Sequence, residues 1–480
     1  MRSASLLVAL AVAAASSVAA QDPFAGYSCD PSVCKLPSCR CATKDAPVAN
    51  PPQFILLTFD DAVQNEVWPQ ANGLFSNRKN PNGCPARATW FAQVFYSDPL
   101  LITQWYAAGN EIADHTITHT SPFTGTYAEI EGNRAYMSTY GGVPRGQIRG
   151  FRYPFLNYTA DSLKMLQQMG FEYESSMSAQ DNDAVWPYTL DNGPVNDCLG
   201  LIGLCNKGLK VPGMWEVPLY GASGSSPHLM DPYNDPSITA PASTSTILND
   251  LTSTFDRHYN GNRAPFGIYT HPIWIGPAVP PSIPDGTGKA AMVRQALDYF
   301  MSKPDTWMVT TYQLVQYMRN PVPASQLASQ PYMQCTRNPA PPTNICNGLS
   351  TTGFETCNLP NGTIRSCYGC PESYPSLSNP VPNRVGSKCF IPDTCDTLWW
   401  DSVACKCLCT DASCAWNDTS RAINLDPSSL TQSSKPGSTG SGSGSGTGSG
   451  KGSNAGSALE SATVATAVAA AIVAAYAVFF

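Results

Sequence analysis

Eight short apolar runs punctuate the chain, at 54–59, 88–93, 111–114, 148–153, 172–177, 215–219, 266–269 and 307–310. Runs of this length, bounded by turn residues, read as strands. Amphipathic stretches separate them. The stretch 98–108 ends at Gly109 and the stretch 160–169 ends at Gly170, where a helix C-cap favours glycine. Two further helical stretches, 290–301 and 312–319, follow late in the chain. Strands alternating with helices predict a parallel α/β fold, a distorted or incomplete (β/α) barrel.

Active sites of such barrels gather at the C-terminal ends of the strands. The chemically loaded residues fall there. Asp60 and Asp61 end the first run, His115 follows the third, Arg152 ends the fourth and His271 follows the seventh. Two adjacent acids repel each other unless something uses the charge; the bland reading is a solvated turn. The chain has five histidines, and two stand in Asp114-His115-Thr116-Ile117-Thr118-His119. The i, i+4 spacing lets both imidazoles face one way in a helical or turned segment. Two imidazoles and a carboxylate make a zinc set with a position left open for water. H-x-x-x-H alone is a weak signal, and no Glu follows His115, so it is not the metalloprotease helix pattern.

Three segments together carry a resemblance. Thr58-Phe59-Asp60-Asp61, His115-Thr116-Ile117-Thr118-His119 and Arg152-Tyr153-Pro154-Phe155 resemble the first three motifs of the polysaccharide deacetylase family of carbohydrate esterases, with a late histidine in Tyr269-Thr270-His271. The lead-in with Cys29, Cys34, Cys39 and Cys41, and the stretches Val185–Leu190, Trp215–Pro218 and Phe255–Tyr259, resemble the chitin deacetylase-like branch. The resemblance spans roughly 27–320 and implies a barrel of the polysaccharide deacetylase type. It implies that Asp61, His115 and His119 hold a divalent metal, usually zinc, and that Asp60 is the general base. It further implies that Arg152 orients Asp60, that the Phe155 N–H helps hold the oxyanion, and that His271 is the general acid. An Asp that pairs with the acid histidine is expected from the family's fourth motif. Here that stretch reads Tyr173-Glu174-Ser175-Ser176, then Asp181 and Asp183, and the partner of His271 stays open.

The two ends suggest where the chain works. Residues 1–20 read as a secretory signal peptide. Residues 21–53 are a cysteine-containing lead-in to a deacetylase-like domain at 54–334. Residues 335–416 form a small cysteine-rich module that the resemblance does not cover. Residues 417–457 are a Ser/Gly-rich linker, and 458–480 read as a GPI-anchor signal with attachment near Asn454. The 18 cysteines behind a leader imply disulfides. The lead-in has four cysteines, Cys84 stands alone, and eleven lie between 335 and 414, so both late groups become even if Cys84 pairs with Cys335. Trp399 and Trp400 either stack on sugars or fill a small core. Asn157, Asn361 and Asn417 stand in glycosylation sequons.

The net charge of −7, with no basic stripe, argues against nucleic acid as a partner. The expected activity is removal of N-acetyl groups from chitin or chito-oligosaccharides at the outer cell surface or in the wall. Another acetylated polysaccharide and a non-catalytic chitin-binding wall protein are the alternatives. The full set of candidate residues favours an enzyme.

Overall fold

The computed structural model describes residues 24–385 apart from 121–125, 180–183, 197–208, 225–228, 232–242, 278–286, 336–353 and 361, together with the backbone of 400–401 and 406–407. The leader, linker, tail, Cys198, Cys205, Asp181, Asp183 and two of the sequons lie outside the described residues. Among the described residues, no helix is long and apolar enough to cross a membrane.

The longest strand is β1 (Gln53–Asp61). Its side chains alternate between faces, as the pleat requires. Ile55, Leu57 and Phe59 join one core, and Phe54 and Leu56 join another. By the same alternation Thr58 and Asp60 share the face of Leu56. After β1 come α1 (Trp68–Gly73), β2 (Thr89–Ala92), α2 (Pro99–Ala107), β3 (Glu111–Asp114), α3 (Tyr127–Gly141) and β4 (Gly150–Phe151). Next are α4 (Ala160–Gln168), β5 (Tyr173–Glu174), β6 (Ser178–Ala179), β7 (Tyr188–Thr189), β8 (Trp215–Glu216) and β9 (Leu219–Tyr220). The domain closes with α5 (Thr244–Asn260), β10 (Phe266–Thr270), α6 (Pro272–Ile275), α7 (Thr287–Met301), β11 (Thr306–Val309), α8 (Thr311–Arg319) and α9 (Ala324–Leu327).

The main sheet runs β10-β1-β2-β3-β4-β5-β8-β7, and β11 also pairs with β1. All of these pairings are parallel except β7 with β8. Strand β10 occupies one edge of β1 along Ile55–Phe59. Strands β11 and β2 divide the other edge, at Gln53–Leu56 and Thr58–Asp61. Among the described residues, the sheet curls into a barrel that does not close by hydrogen bonding. The parallel pair β6–β9 stands beside the gap, where the Tyr220 N–H donates to the Tyr269 hydroxyl at 3.2 Å.

Every expected strand is present, with three changes. The runs 148–153 and 172–177 shorten to two residues each, and 215–219 divides into β8 and β9. Pro218 sits at that division, and a proline has no N–H to give a ladder. The expected glycine caps hold: Gly109 and Gly170 both take positive φ, at 86° and 81°.

Cys84 and Cys335 are bridged, as are Cys29–Cys41, Cys34–Cys39 and Cys357–Cys370. Beyond the barrel, β12 (Glu355–Leu359) and β13 (Gly362–Ser366) form a hairpin, followed by β14 (Cys370–Pro371) and β15 (Arg384–Val385). This cystine-bridged unit packs on the barrel. Gly142 caps α3 at φ 68°, and a Cβ there would meet the Tyr368 ring at 2.2 Å.

Candidate active site

Inward alternation sends Asp60 toward Arg152. Both are buried, and Arg152 Nη1 donates to Asp60 Oδ1 at 2.6 Å and to Thr58 Oγ1 at 2.9 Å. The remaining guanidinium donors go to the Ser175 carbonyl (2.6 Å) and hydroxyl (3.1 Å). The Phe91 ring lies 4.0 Å from the guanidinium carbon. A buried charge is tolerable only when its hydrogen-bonding capacity is filled in this way.

Asp61 takes positive φ, 75°, which turns its carboxylate off the strand. Its Oδ1 lies 3.5 Å from His115 Nε2 and 3.2 Å from His119 Nε2. The segment carrying the histidines is not a helix but a turn, with Thr116 and His119 at φ 73° and 48°. Several groups hold that turn. Glu129 Oε2 accepts from the N–H groups of Ile117 and Thr118, both at 3.0 Å. Asp114 Oδ1 accepts from the Thr116 N–H and from Asn133 Nδ2, both at 2.9 Å. Burial pushes the Asp114 carboxyl up to about 7 against those hydrogen bonds.

His115 Nδ1 lies 2.7 Å from the Arg152 carbonyl oxygen. That contact puts the proton on Nδ1 and leaves the Nε2 lone pair facing Asp61. His115 Nε2 and Asp61 Oδ1 are buried and have no hydrogen-bond partner among the described residues. Buried polar atoms left unpaired are costly. Here they converge, with His119, so that all three donor atoms lie within 4.8 Å of one another. An N,N,O set in which His115 already has its outer contact, to the Arg152 carbonyl, fits zinc or a similar divalent ion. Burial opposes ionisation of Asp61, but His119, His115 and His271 outweigh it and hold the carboxyl well below the usual range. Burial brings His119 down to about 4.

Phe155 stands on the far side of His119, ring centroids 4.6 Å apart, with its own φ at 57° and its ring half exposed. His271 follows β10, and its Nε2 is 3.9 Å from Asp61 Oδ2. Its Nδ1 bonds Asp231 Oδ2, while Asp231 Oδ1 accepts from the His271 N–H at 2.8 Å and from Thr270 Oγ1 at 2.7 Å. Burial works against the charged ring, but the Asp231 carboxylate overcomes it and raises His271 to about 10.

The structure therefore brings together Asp60, Asp61, His115, His119, Arg152, Phe155 and His271. The partner of His271 is Asp231, which no sequence argument singled out. Glu174, the candidate nearest the expected motif, instead accepts from the Ser176 N–H at 2.9 Å. Asp231 lies in the stretch His228-Leu229-Met230-Asp231-Pro232, which carries no periodicity to betray it. Glu129 did leave a trace. Thr126-x-x-Glu129 has the form of a capping box. The Thr126 hydroxyl does accept from the Glu129 N–H, but the Glu129 carboxylate is given to the histidine turn.

Residues 48–174 match the family model for polysaccharide deacetylase. Chitin deacetylase 8 of Bombyx mori is 29% identical over 376 residues, covering 74% of this chain and 93% of that protein. Chitin deacetylase 1 of Bombyx mori is 28% identical over 390 residues, covering 75% and 69% respectively. Among solved structures, a family 4 carbohydrate esterase from Streptomyces lividans in complex with acetate is 16% identical, with a TM-score of 0.30, covering 54% of this chain and 92% of that one. The segment that matches the polysaccharide deacetylase family thus carries Asp60, Asp61, His115, His119, Arg152 and Phe155, while Asp231 and His271 come from beyond it.

Proposed function

We propose that this chain is a metal-dependent polysaccharide deacetylase that hydrolyses N-acetyl groups of chitin or chito-oligosaccharides. The family match and the chitin deacetylase relatives support a hydrolase acting on amide bonds. The observation that carries the metal is the convergence of unpaired Asp61 Oδ1 and His115 Nε2 beside His119.

Asp61, His115 and His119 would hold a divalent ion, zinc by the donor types, and that ion would supply acidification of a water and polarisation of the acetyl carbonyl. The chain's own residues do the rest. Asp60, aimed by Arg152, takes a proton from the attacking water. The Phe155 N–H donates to the oxygen of the acetyl group as negative charge develops there. His271, fixed at Nδ1 by Asp231, presents Nε2 to the amide nitrogen and protonates it as the C–N bond breaks. The products are acetate and a glucosamine unit.

The apolar leader at 1–20, the Ser/Gly-rich 417–457 and the apolar 458–480 support an extracellular chain held by a GPI anchor near Asn454. Measuring acetate release from chitin oligomers and acetylxylan, with and without chelator, tests the reading. Activity is expected on the chitin oligomers and should vanish with chelator and in Asp60→Asn. Turnover that survives both would overturn it.

A further inference from the structure

We propose that Tyr96, held by Tyr374 of the cystine-bridged module, forms an outlying subsite that stacks on a sugar ring of the N-acetylated polymer. This rests on the deacetylase reading above.

The loop 93–98 follows β2, the strand between those that carry Asp61 and His115. Both sides of the loop are tied to the site. The Gln93 N–H meets the Asp61 carbonyl at 3.4 Å, the Asp98 N–H meets the Val63 carbonyl at 2.8 Å, and the Phe95 N–H meets the Ile117 carbonyl at 3.1 Å. Neighbouring strands lie ~4.8 Å apart, so this loop stands beside both donors.

At its tip Tyr96 is 56% exposed with φ at 68°. A bulky residue holds that conformation only when its surroundings impose it. The imposition comes from the module. The Tyr374 hydroxyl accepts from the Tyr96 N–H at 3.0 Å, and the Phe95 ring centroid is 6.3 Å from that of Tyr96 and 6.2 Å from that of Tyr374. Arg365 of the module donates to Asp98 Oδ2 at 2.7 Å and also reaches Asn65, four residues past Asp61. Val381 packs on Ile117, Val94, Tyr136 and Tyr140, behind the histidine turn.

The charge on this loop is already used. Asp98 is its single charged residue, and Arg365 neutralises it. What remains is a neutral aromatic face fixed in place, suited to the apolar face of an uncharged sugar with a hydroxyl at its rim. A second exposed ring, Phe155, packs against His119, with ring centroids 4.6 Å apart.

The test uses the full chain and chitin oligomers from dimer to hexamer. Tyr96→Ala should raise KM for the longer oligomers about tenfold, with kcat and the KM for the dimer unchanged. Tyr96→Trp should keep the wild-type KM. Tyr374→Phe, which removes only the acceptor, should raise KM in the same direction by less. In an Asp60→Asn background, calorimetry should show the same length-dependent loss of affinity on adding Tyr96→Ala. That binding readout separates the two ideas. A length-dependent loss without any acetate release in the wild type would defeat the deacetylase reading and leave the subsite standing. Equal KM and equal affinity at every length would overturn the subsite. So would a rise shared by the dimer, or a fall in kcat with melting temperature that the Trp variant does not rescue.

Discussion

The Arg152 carbonyl oxygen and His115 Nδ1 lie 2.7 Å apart, so the residue that grips Asp60 through its side chain fixes a metal-facing histidine through its backbone. The two tasks can be separated, because a substitution changes the guanidinium and leaves the carbonyl.

Arg152→Lys should therefore lower kcat, by about 100-fold if aiming Asp60 is worth what a positioned base usually contributes, while zinc stoichiometry is retained. Arg152→Met should also destabilise the fold by ~3–5 kcal/mol, since it leaves the buried Asp60 carboxylate without its partner. Elemental analysis and thermal melts check both. Zinc lost in step with kcat would refute the separation.

His115→Ala should abolish stoichiometric zinc at neutral pH, because two remaining donors fall short of the three protein ligands that an open catalytic zinc site needs. Retention of one zinc per chain after dialysis would contradict the ligand assignment.

Glu129→Gln keeps the size of the side chain but weakens its bonds to the Ile117 and Thr118 N–H groups and the Thr118 hydroxyl. Loss of such outer support commonly costs about 10–100-fold in metal affinity. A chelator competition should show that weakening, with little change in the melt of the zinc-free protein.

Asp231→Asn should act through pH. His271 is raised to about 10 from its ordinary 6.5, so its folded form binds the proton more tightly than the unfolded chain does. The stability this confers is complete below about 6.5 and disappears as pH climbs through about 10. The variant should then be destabilised most in acid and least in strong alkali. Its kcat/KM should lose the alkaline range, the basic limb moving down toward the ordinary histidine value. An unmoved limb would mean that another group sets it.

The legible parts of the sequence were those with short-range periodicity. The apolar run that becomes β1 and the glycines closing α2 and α4 could be read directly, because each is a local signal. The gathering of Asp60, His115, Arg152 and His271 followed from strand ends in a parallel sheet. Asp231 was not legible. It reaches His271 from an irregular segment 40 residues away, and nothing local dictates that approach. Nor was the packing of 354–385 against the histidine turn, which depends on shape between units rather than on any repeat. Cysteine parity did suggest a Cys84–Cys335 bridge, since one bond between the lone cysteine and the late group of eleven makes both even.

That bridge also bears on how the chain would break. It joins positions 251 residues apart, and the span between them includes His115, His119, Arg152, Asp231 and His271. A single backbone cut anywhere in that span leaves both pieces covalently joined. A nicked molecule would run as one band on a gel without reductant and as two with it, and its active-site groups would stay tethered until a thiol released them.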